Sequence, residues 1–169
     1  MHSSRGSSLI EVIIAATVGI LVITALTFAT IFSLRNAHFA KNSAQATKLA
    51  QEGIEKVRSI RDRDNNVDIG SDVIKFSELF DLDLSHDSCG DGPCYFVFES
   101  GILKQKTAVN FETLGSFKRQ ILISDETIAT CSATDYSKYC NQKTITVVVQ
   151  WTDFAGPHES KLTTILRKL

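Results

Sequence analysis

Arg5-Gly6-Ser7-Ser8-Leu9-Ile10-Glu11, followed by the apolar run Val12–Phe32, is the stretch on which the reading of this chain turns. The run carries no charge and no proline. A helix of about twenty residues rises ~30 Å, enough to cross a bilayer. A carboxylate, Glu11, stands at its front end. An acid at the centre of a membrane span costs about 2.5–3.5 kcal/mol on insertion scales, so an intramembrane carboxylate marks function. Glu11 lies near one end of the run, where that cost is smaller. Its plain structural alternative is a helix-end acid, solvated at the interface and favourable to the positive helix N-terminus.

The order of features around Glu11 is specific. A six-residue polar leader ends in Arg5-Gly6, two small residues follow, then Leu9-Ile10-Glu11, then the apolar run. This resembles the processing site of type IV pilins and type II secretion pseudopilins. The resemblance implies cleavage between Gly6 and Ser7 by a prepilin peptidase and N-methylation of Ser7. It also implies an assembly role for Glu11, whose carboxylate would meet the new N-terminal amine of a neighbouring subunit. Opposite charges in a low-dielectric seam attract strongly and are costly when left alone, so such a pair penalises wrong register more than it adds net stability. The chain departs from the family pattern in having Ser7 where a phenylalanine is usual and in lacking a proline within the apolar run. The resemblance covers residues 5 to about 60 and beyond that is architectural.

Working outward, the helical pattern continues past Phe32. Ala46, Leu49, Ala50, Gly53, Ile54, Val57 and Ile60 recur at spacings of three and four and form one apolar stripe. Lys48, Gln51, Glu52, Glu55, Lys56, Arg58 and Asp62 make the opposite, solvated face, with Glu52 and Lys56 as a favourable i,i+4 pair. One helix from about Ser8 to about Arg63 is expected. Its first half faces lipid or other helices and its second half covers a head domain. The alternative is a membrane helix followed by a separate amphipathic one.

Asp62 to Gly70 reads as a polar helix-terminating loop. Its alternating acids and amides resemble a calcium loop, but Val67 stands where an EF-hand needs glycine and Val73 where it needs glutamate. Val73 to Leu84 reads as a short helix capped by Ser77 or as a loop plugging the core. His86, Asp87 and Asp91 near Cys89 and Cys94 allow a zinc reading, set against a tight Gly-Asp-Gly-Pro turn stapled by a disulfide. No metal and no cofactor is expected.

The remainder is strand-like. Tyr95–Glu99 and Ile102–Gln105 flank a Ser100-Gly101 hairpin signal. In Phe117–Ser124 the alternation puts Phe117, Arg119, Ile121 and Ile123 on one face. In Thr144–Thr152 it puts Ile145, Val147, Val149 and Trp151 on one face, with Trp151 read as core. Asp153–Glu159 is expected as a turn and Leu162–Lys168 as the last strand. The fold class is therefore α+β, a long N-terminal α-helix whose amphipathic second half packs on an antiparallel β-sheet of four or five strands. This is the lollipop shape that the resemblance also implies. The chain divides into a leader (1–6), a transmembrane or filament-core helix (7–32), the amphipathic continuation (33–64) and a globular head (65–169).

The chain has 169 residues, a net charge of −1 and mixed charge signs, which leaves no basic footprint for nucleic acid. Four cysteines favour disulfides in a non-cytosolic compartment. Of the three pairings, Cys89–Cys94 and Cys131–Cys140 each close a short local loop. The second would span the polar excursion Asp125–Gln142, whose Tyr136, Lys138 and Tyr139 are partner-contact candidates set against a structural loop.

Two other targeting readings compete. A cleaved secretory signal has a small-residue site at Thr27-Phe28-Ala29, but the acid at the leader–core boundary and the length of the run oppose it. A permanent single-span anchor is the more serious rival. Arg35, Lys41 and Lys48 after the span, against Arg5 before it, would place the C-terminal part inside by charge. The cysteines and the leader motif place it outside.

No phosphate loop, Gly-x-Ser-x-Gly or His-Glu-x-x-His motif is present, and His2, His38, His86 and His158 are scattered. No enzyme activity is expected. The expected function is a minor pilin or pseudopilin, a structural subunit of a type IV pilus-like or type II secretion-like filament. Its expected partners are other subunits, the prepilin peptidase, an inner-membrane assembly platform and membrane lipid. Its expected location is the cytoplasmic membrane as a single-pass protein with the head outside, then a surface or periplasmic filament. The alternative is an extracytoplasmic binding or adhesion protein on one membrane anchor.

Overall fold

The computed structural model describes residues 5–82, 84, 89, 93–125 and 142–169. It divides into two compact units, Met1–Lys41 and Asn42–Leu169. Helix α1 (Arg5–Asp62) supplies the first unit and the opening of the second. There follow β1 (Asn66–Asp68), β2 (Val73–Lys75), a 3-10 turn (Glu78–Phe80), β3 (Cys94–Glu99), β4 (Ile102–Lys106), β5 (Glu112–Leu114), β6 (Phe117–Asp125), β7 (Gln142–Asp153) and β8 (Gly156–Arg167). The fold is α+β, with the long N-terminal helix packed on a sheet.

The sheet has eight strands, with the order β2-β1-β4-β3-β6-β7-β8 and β5 beside β6. It is mostly antiparallel. The expectation of a purely antiparallel sheet is corrected by β1 and β4, which run parallel with Val67 opposite Leu103. The expected four or five strands become eight because three-residue strands leave no periodic signal. β1 lies inside the stretch read as a polar loop. Val67 is fully buried there, and that burial outweighs the polar residues around it.

The helical stripe is as its spacing implies. Ala46, Ala50, Gly53, Ile54, Val57 and Ile60 are buried, and Lys48, Gln51, Glu52, Glu55 and Lys56 are exposed. The stripe meets the inner face of the sheet, where Phe117, Ile121, Ile123, Ile145, Val147, Val149 and Trp151 are buried in alternation. Contact is close at Gly53, where an added Cβ would lie 2.9 Å from Val147 Cγ1. Glu52 and Lys56 pair at 2.9 Å.

α1 ends by a Schellman-type arrangement. Asn65 N–H donates to Ile60 O and Asp64 N–H to Arg61 O, both at 3.0 Å. Asp64 takes the left-handed conformation (φ 47°) usually given to glycine, which aspartate tolerates better than most side chains. Its carboxylate accepts the Ser77 N–H at 2.8 Å. Ser77 precedes the 3-10 turn but makes no capping bond with its side chain, so its expected capping role is corrected. Phe76, Leu79, Phe80 and Leu84 are buried and plug the core beside that turn.

The hairpin of β3 and β4 turns on Ser100 (φ 54°) and Gly101 (φ 82°), the doubly left-handed turn that matches strand twist. The expected turn over Asp153–Glu159 is shorter. Only Phe154 and Ala155 form it, and β8 begins at Gly156, opposite Asp153. Pro157 then sits in an outermost strand, where its missing N–H is tolerated.

Candidate functional site

The first unit presents an exposed stretch of helix. From Leu9 to Leu34 every residue is exposed, including Leu21 at 69% and Phe28 at 69%. α1 is long and apolar enough to cross a membrane. The threonine hydroxyls of its apolar run are satisfied internally. The hydroxyls of Thr17, Thr24, Thr27 and Thr30 donate to Ile14 O, Ile20 O, Ile23 O and Thr27 O at 2.8–2.9 Å. Such back-bonding removes free donors from the helix surface, which an apolar solvent requires.

Glu11 is the sole charged residue between Arg5 and Arg35, and it is exposed. Gly6 and Ser7 lie in the first turn of α1. At about 100° per residue, Glu11 shares a face with Ala15, Val18, Val22, Ala25 and Ala29. Small and β-branched residues therefore line the track behind the acid, while Leu21 and Phe28 point elsewhere. Spacings of three, four and seven carry this signal in the sequence, although the motif alone does not single it out.

The second unit contains built polar contacts of a different kind. Arg119, fully buried on β6, donates to Glu112 Oε2 at 2.8 Å and to Leu49 O at 3.1 Å, and lies over the Phe98 ring at 5.1 Å. It ties helix, sheet and β5 together. Buried Lys143 donates to Leu82 O at 2.7 Å and contacts Asp125, whose other oxygen accepts the Leu84 N–H at 2.9 Å. Cys89 and Cys94 form the expected disulfide. Cys131, Cys140, Tyr136, Lys138 and Tyr139 lie outside the described residues, as do His86, Asp87 and Asp91.

The acids of the suspected calcium loop have internal partners. The Ser77 backbone N–H holds the Asp64 carboxyl below its ordinary range. The Gly70 N–H does the same for Asp68, with Lys104 adding to it. Lys56 lowers Glu52, and the Ala155 N–H lowers Asp153, which lies 2.8 Å from His158 Nε2. Among the described residues no three His, Cys, Asp or Glu side chains converge on one point. Trp151 is buried, stacked on His158 at 5.4 Å. An open cleft of about 510 Å³ lies beside them, lined by Lys118, Gln150 and Glu159 among others.

The structure therefore keeps Gly6, Ser7 and Glu11 together at one end of a bare apolar helix. The cysteine and aromatic candidates belong to the head. Compared with protein-family models, curated proteins and solved structures, the chain matches none.

Proposed function

We propose that this chain is a structural subunit, a minor pilin or pseudopilin, of a type IV pilus-like or type II secretion-like filament. In this reading a prepilin peptidase cuts between Gly6 and Ser7, and the Ser7 amine is methylated. Residues 7–32 then pack against the same segment of neighbouring subunits. Glu11 sets axial register by meeting the amine of the next subunit. Shape and that ion pair decide the packing, because apolar helices gain little from the hydrophobic effect when lipid is the competing solvent.

The observation that carries the reading is one acid, directly behind the Arg5-Gly6 leader, at the head of an otherwise uncharged helical run whose apolar side chains are exposed from Leu9 to Leu34. A soluble protein would cover such a surface. The same helix would serve a single-span anchor for an extracytoplasmic binding head, and the N-terminus separates the two. Mass spectrometry of protein extracted from membranes is expected to show loss of residues 1–6 and one added methyl group. Glu11→Ala is expected to leave the protein in the membrane and remove it from sheared filaments. Retention of Met1–Gly6 in all of the protein assigns it to the anchored class. Unchanged filament incorporation of Glu11→Ala removes the pairing role.

A further inference from the structure

The two edges of the sheet are unequal. β2 closes one edge with three residues, whereas β8 closes the other with twelve, paired one-to-one with β7 from Gly156 to Arg167 without a bulge. Pro157 fixes which backbone groups of β8 are used. It has no N–H, so Thr152 opposite Pro157 is a non-hydrogen-bonded pair, and alternate pairs along the ladder share that character. Glu159, Lys161, Thr163, Ile165 and Arg167 therefore turn their N–H and C=O groups away from β7. Among the described residues no strand takes them up.

We infer that this edge pairs antiparallel with the β8 edge of a second copy of the chain, centred on Thr163. The charges select that partner and that register. With Thr163 facing Thr163, Glu159 of each copy faces Arg167 of the other, and Lys161 faces Ile165. Other registers are poorer. Centred on Lys161, that residue faces itself, and centred on Thr164, Lys161 faces Arg167. Like charges placed directly opposite destabilise a pair of strands. Centred on Ser160, Glu159 faces Lys161 but Pro157 enters the ladder and removes a donor. Centred on Leu162, Pro157 enters again and no charges pair. The favoured register leaves Pro157 just beyond the paired segment, where it ends the ladder.

Natural sheets blunt exposed edges with lysine, proline and short strands. Here the short strand guards the β2 edge, and Pro157 guards only one end of β8. Lys161 has no like charge directly opposite in the proposed register and pairs with Glu159 of its own strand at 2.7 Å. One strand edge makes a small contact by the standard of stable interfaces, below about 1,200 Å² in total. The pair therefore forms among copies held at high local density. The inference needs copies held side by side, as one membrane helix per chain would hold them, and does not need the filament reading.

Cross-linking of the full chain in the membranes of cells that express it tests the pair. Directly opposed, hydrogen-bonded residues lie about 5.5 Å apart at Cα, within disulfide reach. Thr163→Cys is expected to give, on mild oxidation, a band at twice the monomer mass that wild type lacks. Ile165→Cys is expected to give none, because its counterpart lies four residues away, about 13 Å. A Glu159→Cys, Arg167→Cys double variant places two such bridges and reads the register independently. Adding Glu159→Arg to Thr163→Cys is expected to lower the dimer yield several-fold, and adding Arg167→Glu as well is expected to restore it. The proposal is overturned by no dimer from either Thr163→Cys or the double variant, by equal yields at positions 163 and 165, or by cross-linking to a protein other than a second copy. Insensitivity of the Thr163→Cys dimer to charge reversal overturns it equally.

Discussion

Residues 9–34 and residues 46–60 belong to one helix and have opposite fates. In the first stretch every side chain is exposed, and apolar groups point in all directions. In the second, Ala46, Ala50, Ile54, Val57 and Ile60 are buried and Lys48, Glu52, Glu55 and Lys56 between them are exposed. Backbone geometry does not separate them, because both are α-helical. Side-chain periodicity does. A stripe defines a partner surface of limited width, and the sheet supplies it. An all-round apolar surface defines a solvent, and among the described residues no element covers residues 9–34. The second stretch is thus held by contacts within the chain, and the first depends on what surrounds the chain.

The largest expected difference between the two regions lies at Arg119. Arg119→Ala leaves Glu112 without its cation, takes from Leu49 O the donor it has besides the helical ladder, and leaves a void beneath Phe98. Removing one partner of a buried pair typically costs about 3–5 kcal/mol. The chain has one tryptophan, Trp151, in the head core, so urea unfolding followed by its fluorescence reports on that unit. Arg119→Ala is expected to lower the unfolding midpoint steeply. Leu21→Ala, in a side chain 69% exposed, is expected to leave it unchanged. A loss at Leu21 of comparable size would break the contrast.

Two glycines in the same helix sharpen it. A Cβ on Gly53 would lie 2.9 Å from Val147 Cγ1 and 3.3 Å from Arg119 Cδ, whereas a Cβ on Gly19 meets nothing within 4 Å. Gly53→Ala is expected to destabilise the head by about 1–3 kcal/mol through overpacking, read as a lower urea midpoint. Gly19→Ala is expected to stabilise its own turn by up to about 1 kcal/mol through helix propensity. That gain should appear as slower amide exchange around residue 19 with the Trp151 midpoint unmoved. One chemical change of opposite sign at two positions isolates packing from propensity.

What could be read in advance follows the same division. Long periodic segments were legible. The stripe from Ala46 to Ile60, the alternation in β6 and β7, and the Ser100-Gly101 turn are all present in the structure. Alternation even placed Arg119 on the inner face, against its charge, though it did not name its partners, Glu112 seven residues away and Leu49 seventy residues away. Strands β1, β2 and β5 were not legible, because three residues cannot show a period and because Val67 is held by partners distant in sequence. The start of β8 was missed because Gly156-Pro157 has turn chemistry, while its pairing with Thr152 and Asp153 comes from the register of the hairpin. At the candidate site, Gly6, Ser7 and Glu11 were legible as a motif. The small-residue track behind Glu11 becomes plain once the helix is built.

The smallest expected effect is acid sensitivity confined to the second unit. The carboxyls of Asp64, Asp68, Asp153 and Glu52 are all held below their ordinary range, the three aspartates chiefly by backbone N–H groups and Glu52 by Lys56. A depressed folded-state value means that the folded form prefers the ionised acid. The resulting stability is complete above the ordinary carboxylate range, near pH 4, and is lost as pH falls through the lower folded-state values. The urea midpoint read from Trp151 is therefore expected to be flat from neutral pH to about 5 and to drop below about 4. Asp64→Asn isolates one contributor. Its amide oxygen still accepts the Ser77 N–H, and asparagine also tolerates the left-handed conformation. Stability at pH 7 should thus change little, while the drop between pH 5 and pH 3 becomes shallower. Residues 12–34 hold no titratable side chain, so their helical circular dichroism should stay constant over the same range. An acid-induced loss of that signal would show that the bare helix draws on the head for its stability, and an unchanged acid slope in Asp64→Asn would remove the Asp64–Ser77 contact as a source of the effect.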